Sequence, residues 1–242
     1  MVAMARRGRP CHPFPSMSRG KLLRAASIAA ACLLLAPAAT GQTQAPAPAP
    51  IAQPLPSIAW GAPWCGRLFR ARLLPYEGAH HFTWDGPLRR SPNRYWRRFG
   101  TDRLLHTLTG VVYSYALAHP GLARIGIGDL SLPSGGAFGD DYGGLGHNSH
   151  QNGLDADVLY PRRDRAETRP LRVFDVDRAR AQDLVDRFVA AGAQYVFVGR
   201  SLGLRGPPRI VRAIPFHDDH LHVRIPPAGP VRAPVPCPWR PA

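Results

Sequence analysis

Two short stretches, far apart in the chain, constrain its fold more than anything else in it. The first is Gly146-His147-Asn148-Ser149-His150-Gln151-Asn152-Gly153-Leu154-Asp155-Ala156-Asp157, and the second is Phe216-His217-Asp218-Asp219-His220-Leu221-His222-Val223-Arg224. Together they hold five of the ten histidines and four carboxylates, a density that fits neither ordinary core nor ordinary surface. His150 and Asp157 stand seven residues apart with Gly153 between them, a gap suited to a turn leading into a strand that returns Asp157 beside His150. Alternation in that strand sets Asp155, Asp157 and Leu159 on one face and Leu154, Ala156 and Val158 on the other. In the second stretch a strand sets His220 and His222 on one face, with Leu221 and Val223 behind them. A catalytic zinc takes three protein ligands, usually imidazoles and a carboxylate, and keeps a fourth position open. Two neighbouring imidazoles with apolar residues behind them suit a metal-plus-base site.

The same residues carry a family resemblance. Ser149-His150, six residues, Asp157 and a later His220-x-His222 resemble the zinc peptidases that group lysostaphin-type enzymes, D-Ala-D-Ala peptidases and hedgehog amino-terminal domains. The fuller Gly-His-x-Ser-His-Gln-x-Gly-Leu-Asp-x-Asp, with His-Asp-x-His-x-His-Val-Arg downstream, resembles penicillin-insensitive murein endopeptidase. Gly128-Asp129 and Gly135-Gly136 are similar to that family too. The resemblance is dense over 124–160 and 214–225, while 161–213 matches in layout alone. It implies that His150, Asp157 and His222 hold one Zn2+ and that His220 is the catalytic residue beside the metal, taking a proton or steadying an oxyanion. His147 and His217 are histidine in that pattern as well, and are read as alternative ligands, donors to the ligands or substrate contacts. Ser149 is expected to orient the site by hydrogen bonding. Some family members hold an additional zinc through the histidine matching His147 and a downstream Asp-x-x-His; none occurs between 161 and 200, so a single ion is expected.

The amino terminus is expected to direct the chain out of the cytoplasm. Arg19, Lys21 and Arg24 precede the apolar run Ala25 to Ala39, which has the form of a signal peptide ending near residue 41. The Arg- and Pro-rich segment before it makes Met17 an alternative start. Ile28-Ala29-Ala30-Ala31-Cys32 loosely mimics a lipobox, but Leu33 to Leu35 follow the cysteine, which favours simple export, to the periplasm or wall, over anchoring at Cys32. No other segment reaches the ~20 apolar residues of a membrane span. Residues 42–58, Ala- and Pro-rich and uncharged, are expected to form an extended linker, leaving 59–242 as one domain. Its two cysteines, Cys65 and Cys237, sit near its ends, and in an oxidising compartment a disulfide between them is expected.

Of 31 basic residues, six precede position 42; the remaining 25 are all arginine, against 16 acidic residues. That excess favours an anionic partner. Export makes wall polymer the expected one and opposes nucleic acid, so Arg94-Tyr95-Trp96-Arg97-Arg98-Phe99 is read as a solvated, partly packed segment.

Thr101 is expected to cap a helix over 102–118, with apolar residues at Leu104, Leu105, Leu108, Val111, Val112, Tyr115 and Ala116. Strands are expected over 124–132, 153–160, 171–174, 194–198, 210–214 and 220–225. A second helix, capped by Asp175 or Asp177, should run to about 191. This mixture, without strict βαβ alternation, predicts an α+β domain: a mainly antiparallel sheet with helices on one face and the site on the other or at its edge. The resemblance implies a hedgehog/D-Ala-D-Ala-peptidase-like version of it. The expected activity is hydrolysis of peptidoglycan cross-links at the D-alanyl–diamino acid bond; the alternatives are a D,D-carboxypeptidase or dipeptidase and a non-catalytic zinc-containing wall-binding module.

Overall fold

The computed structural model describes residues 55–139 and 147–229. The expected signal peptide with Met17 and Cys32, most of the linker, part of the glycine-rich loop before His147, and Cys237 lie outside the described residues. Among the described residues, ten strands and two α-helices follow in order: β1 Ile58–Ala62, β2 Cys65–Phe69, β3 Arg72–Leu73, β4 His81–Thr83, β5 Phe99–Gly100, α1 Asp102–Ala118, β6 Ile125–Ile127, β7 Asp155–Leu159, α2 Arg178–Ala190, β8 Tyr195–Gly199, β9 Val211–Ile214 and β10 His220–Arg224.

Six strands form the central sheet in the order β4-β6-β7-β10-β8-β9. The expected antiparallel character holds for its middle: β6–β7, β7–β10 and β10–β8 run antiparallel. The outer pairs, β4–β6 and β8–β9, are parallel, so the sheet is mixed. A parallel neighbour needs a crossover, and α1 lies in the one between β4 and β6. The long segment from β4 to α1 hides that unit in the sequence.

Both helices start as their sequences dictate. The Thr101 side chain accepts from Leu104 N–H, and that of Asp177 from Arg180 N–H, filling donors that a helix cannot satisfy internally. Leu104, Leu108, Val111, Val112 and Tyr115 of α1, with Ala181, Leu184, Val185 and Phe188 of α2, are buried in one core. The sheet contributes Ile125, Ile127, Ala156, Val158, Val196, Val198, Leu221 and Val223 to it. Each such large side chain contributes about 1.5–3 kcal/mol on burial. Period-two alternation then commits Asp155, Asp157, His220, His222 and Arg224 to the opposite face.

Three segments depart from expectation. The strand over 124–132 ends at Ile127 because the chain changes partner: Leu130 N–H donates to Arg97 O and Ser131 N–H to Phe99 O. The strand expected over 171–174 is instead a short 3-10 turn at Val173–Asp175. Asp175 Oδ2 accepts from the N–H groups of Leu171 and Arg172, 3.0 Å each, leaving Leu171 and Phe174 exposed. The segment read as solvated holds two buried arginines, Arg97 at 0% exposure and Arg98 at 7%. Arg97 is buried because it ion-pairs with Asp129.

Candidate metal centre

The register of β7 and β10 sets His222 opposite Asp157, His220 opposite Leu159 and Arg224 opposite Asp155. His150 reaches the same point from the segment before β7. Its backbone is left-handed (φ 67°), a conformation that costs energy for a side chain other than glycine. Gly153 (φ 77°) follows, where an added Cβ would stand 2.7 Å from Leu68 Cδ1, so the turn into β7 requires glycine.

The atoms that converge are His150 Nε2, His222 Nδ1 and Asp157 Oδ1. His150 Nε2 lies 3.2 Å from His222 Nδ1 and 3.3 Å from Asp157 Oδ1, and His222 Nδ1 lies 3.4 Å from that oxygen. A tetrahedral ion with bonds of about 2.0–2.1 Å spaces its ligand atoms about 3.3–3.4 Å apart. The outer nitrogens fix the tautomers. His150 Nδ1 donates to Leu130 O at 2.9 Å, and His222 Nε2 donates to Asp155 Oδ1 at 2.8 Å. In their neutral forms both rings therefore turn a lone pair toward Asp157 Oδ1, which is buried without a hydrogen-bond partner. Three buried acceptors facing one another need either a proton on His222 or a metal ion to join them, and the donor set fits a metal ion.

His147 is held in the same manner. Its Nε2 donates to Asp129 Oδ2 at 2.8 Å, and its Nδ1 lies 4.0 Å from Asp157 Oδ2. His147, His150 and Asp157 each offer an atom within 4.8 Å of one another, a second possible set sharing two members with the first. The triangle made with His222 is tighter and suits one ion better. Asp129 is itself clamped by Arg97, whose Nε donates to it at 2.6 Å, and by Asn93 Nδ2 at 3.0 Å.

His220 stands beside the triangle. Its Nε2 lies 3.7 Å from Asp157 Oδ1, and its Nδ1 donates to Asp219 Oδ1 at 2.7 Å. The His217 ring lies 4.8 Å from the His220 ring, and its Nδ1 donates to Pro215 O. A cleft of about 750 Å³ is lined by Asp157, His222, His220, His147 and His217, while fully buried His150 does not line it. Ser149 lines it without a side-chain hydrogen bond among the described residues. Arg89, Arg169 and Arg224 line the cleft, Arg169 paired with Asp219 and Arg224 with Asp155, and Trp64 and Phe216 add aromatic surface.

Protonation follows from these contacts. Burial pushes the Asp157 carboxyl up, but the charges of His150 and His220 and the close approach of the His150 and His222 rings hold it well below the usual carboxylate range. Burial also lowers His222, yet its hydrogen bond to Asp155 and the adjacent Asp157 carboxylate raise it to about 9. Burial dominates at His150 and lowers it. At His220 burial is outweighed by Asp157 and Asp219, and the net direction is upward.

Sequence reasoning assigned no role to Asp155, Asp129, Asp219, Arg97 or Arg169. Alternation did place Asp155 on the face of Asp157, and Asp219 adjoins His220. The fold and cleft define a domain that presents clustered imidazoles and carboxylates to a substrate, the layout of a hydrolytic centre. The family model of penicillin-insensitive murein endopeptidase matches residues 59–197, and the chain belongs to that family. It is a peptidase that acts on peptidoglycan. The match covers His147, His150 and Asp157 and ends before β10. A search of curated proteins finds no match. Among the described residues, no helix is long and apolar enough to cross a membrane.

Proposed function

We propose that the chain is a zinc-dependent endopeptidase that cuts the D-alanyl–diamino acid bond of peptidoglycan cross-links, with His150, Asp157 and His222 as ligands of one zinc. The observation that carries this is Asp157 Oδ1, buried and without a hydrogen bond, with the inner nitrogens of His150 and His222 3.3–3.4 Å away. Zinc would supply a Lewis acid that polarises the scissile carbonyl and acidifies water. His220 is the proton carrier: its Nδ1–H is engaged by Asp219, so Nε2, on the side of Asp157, is the atom that accepts a proton and later returns it to the leaving amine. His147, held by Asp129, and His217 flank the site and contact substrate or ligands. Ser149, in the cleft lining, is read as orienting the site by hydrogen bonding. Arg89, lining the cleft, suits a carboxylate of a stem peptide.

The remaining architecture is part of the same reading. Residues 1–41 direct export to the periplasm or wall, 42–58 link, and 59–242 form the peptidase domain, hedgehog/D-Ala-D-Ala-peptidase-like in fold. A mixed sheet with helices on one face and the site on the other supports that fold. The Cys65–Cys237 bridge belongs to the same reading, on the ground that the exported domain has one cysteine near each end and would meet an oxidising compartment.

Two substitutions test the roles. His222→Ala should strip zinc and activity together. His220→Ala should retain zinc by elemental analysis and lose about 10²–10⁴-fold in kcat, the usual range for general acid–base catalysis. Near-normal turnover in His220→Ala would remove the assigned role.

A further inference from the structure

We propose that Asp219 and Arg169 form a positioning relay for His220: Asp219 fixes its ring tautomer and orientation, and Arg169 fixes Asp219. This rests on the reading of His220 as the proton carrier. His220 Nδ1 and Asp219 Oδ1 are 2.7 Å apart, and Arg169 Nε lies 2.7 Å from the other oxygen, Asp219 Oδ2. Each carboxylate oxygen therefore has its own charged or N–H partner, and the carboxylate plane is defined from both ends.

The relay differs from the contacts of the other imidazoles. His150 and His222 are pinned by buried acceptors, Leu130 O and Asp155. Asp219 and His220 are 22% and 20% exposed at the cleft, where water competes for the same hydrogen bond. A hold at that depth needs a second anchor, and Arg169, from the segment before α2, supplies it. Neighbouring Asp218 cannot substitute, because both its oxygens are engaged by Ser201, from backbone N–H at 3.1 Å and hydroxyl at 2.9 Å. The adjacent carboxylates thus have separate duties: Asp218 ties down the turn before β10, and Asp219 aims the ring. With Nδ1–H committed to Asp219, Nε2 carries the lone pair, 3.7 Å from Asp157 Oδ1. Without Asp219 the proton can sit on either nitrogen and the ring can turn away, while the triangle of His150, Asp157 and His222 stays intact.

The test uses the full mature protein loaded with zinc and a cross-linked muropeptide dimer as probe. Asp219→Ala should lower kcat about 10–100-fold, as expected when a partner orienting an active-site histidine is removed. KM and zinc content should stay within about twofold, because neither uniform binding nor the ligand triangle is touched. Asp219→Asn, which keeps an acceptor, should recover part of that loss, and Arg169→Gln should show a smaller fall of the same kind. In the His220→Ala background, Asp219→Ala should add nothing. Nitrogen chemical shifts of His220 provide a readout without turnover: a single Nδ1–H tautomer in the parent protein and a mixture in Asp219→Ala. Unchanged kcat with an unchanged tautomer would overturn the relay. If the parent protein fails to cut the dimer, the reading of His220 as proton carrier falls, while the nitrogen shifts still decide whether Asp219 sets the ring.

Discussion

Asp157 Oδ1 has three imidazole nitrogens within 3.7 Å, from His150, His222 and His220, and no hydrogen bond. What makes this a site rather than a cluster is the set of contacts behind the rings. Asp155 Oδ1 holds His222 Nε2 at 2.8 Å and Arg224 Nε at 2.7 Å, so it sets which His222 nitrogen faces inward. Asp155→Asn keeps the shape and removes the charge. Zinc affinity should then fall about 10–100-fold, measured by competition with a chelator of known strength; unchanged affinity would show that Asp155 matters only for packing. The inward residues were legible in the sequence because a period of two fixes which side chains share a face. The partner of each outer nitrogen was not, since it depends on the register of β7 against β10 and on where Leu130 and Asp129 pass.

At the scale of elements, the strong local signals held. Thr101 and Asp177 start their helices, and the apolar residues spaced at three and four in α1 and α2 are those buried. The failures came where a tertiary partner overrode the local pattern. Arg97 lies in a segment whose composition reads as solvated, yet it is fully buried against Asp129, which in turn holds His147. Replacing one member of such a pair leaves the other as an uncompensated buried charge. Arg97→Met should therefore destabilise the folded protein by about 3–5 kcal/mol in chemical denaturation, where a solvated arginine would cost less than about 1 kcal/mol. A loss in that lower range would mean that Asp129 is neutralised otherwise. The short β6 has the same lesson: residues 129–131 pair with 97–99, a contact with no signature in either segment alone.

For the whole molecule, metal, proton and fold are linked. His222 is raised to about 9 in the folded, metal-free protein, against an ordinary 6.5. A group raised on folding contributes its stability in full below the ordinary value and loses it as pH climbs through the folded one. His220 shifts in the same direction; His150, lowered by burial, costs stability only below about 6.5. The chelated protein should thus melt at progressively lower temperature from pH 6.5 to 9. Zinc requires deprotonated imidazoles and gains affinity over the same window. The gap in melting temperature between zinc-loaded and chelated protein should widen with pH, and calorimetry showing a constant or narrowing gap would refute the linkage. The α+β class and the ligand face were readable from the chain, whereas the parallel outer strands were not, because a crossover declares itself only once the sheet is assembled. The central claim is tested most directly by incubating the mature protein with cross-linked and uncross-linked muropeptides of defined structure, with zinc and with chelator, and weighing the products by mass spectrometry. The account predicts chelator-sensitive conversion of dimers to monomers, with masses that place the cut at the D-alanyl–diamino acid bond. Release of a terminal D-alanine alone, or no product from protein shown to hold zinc, would contradict it.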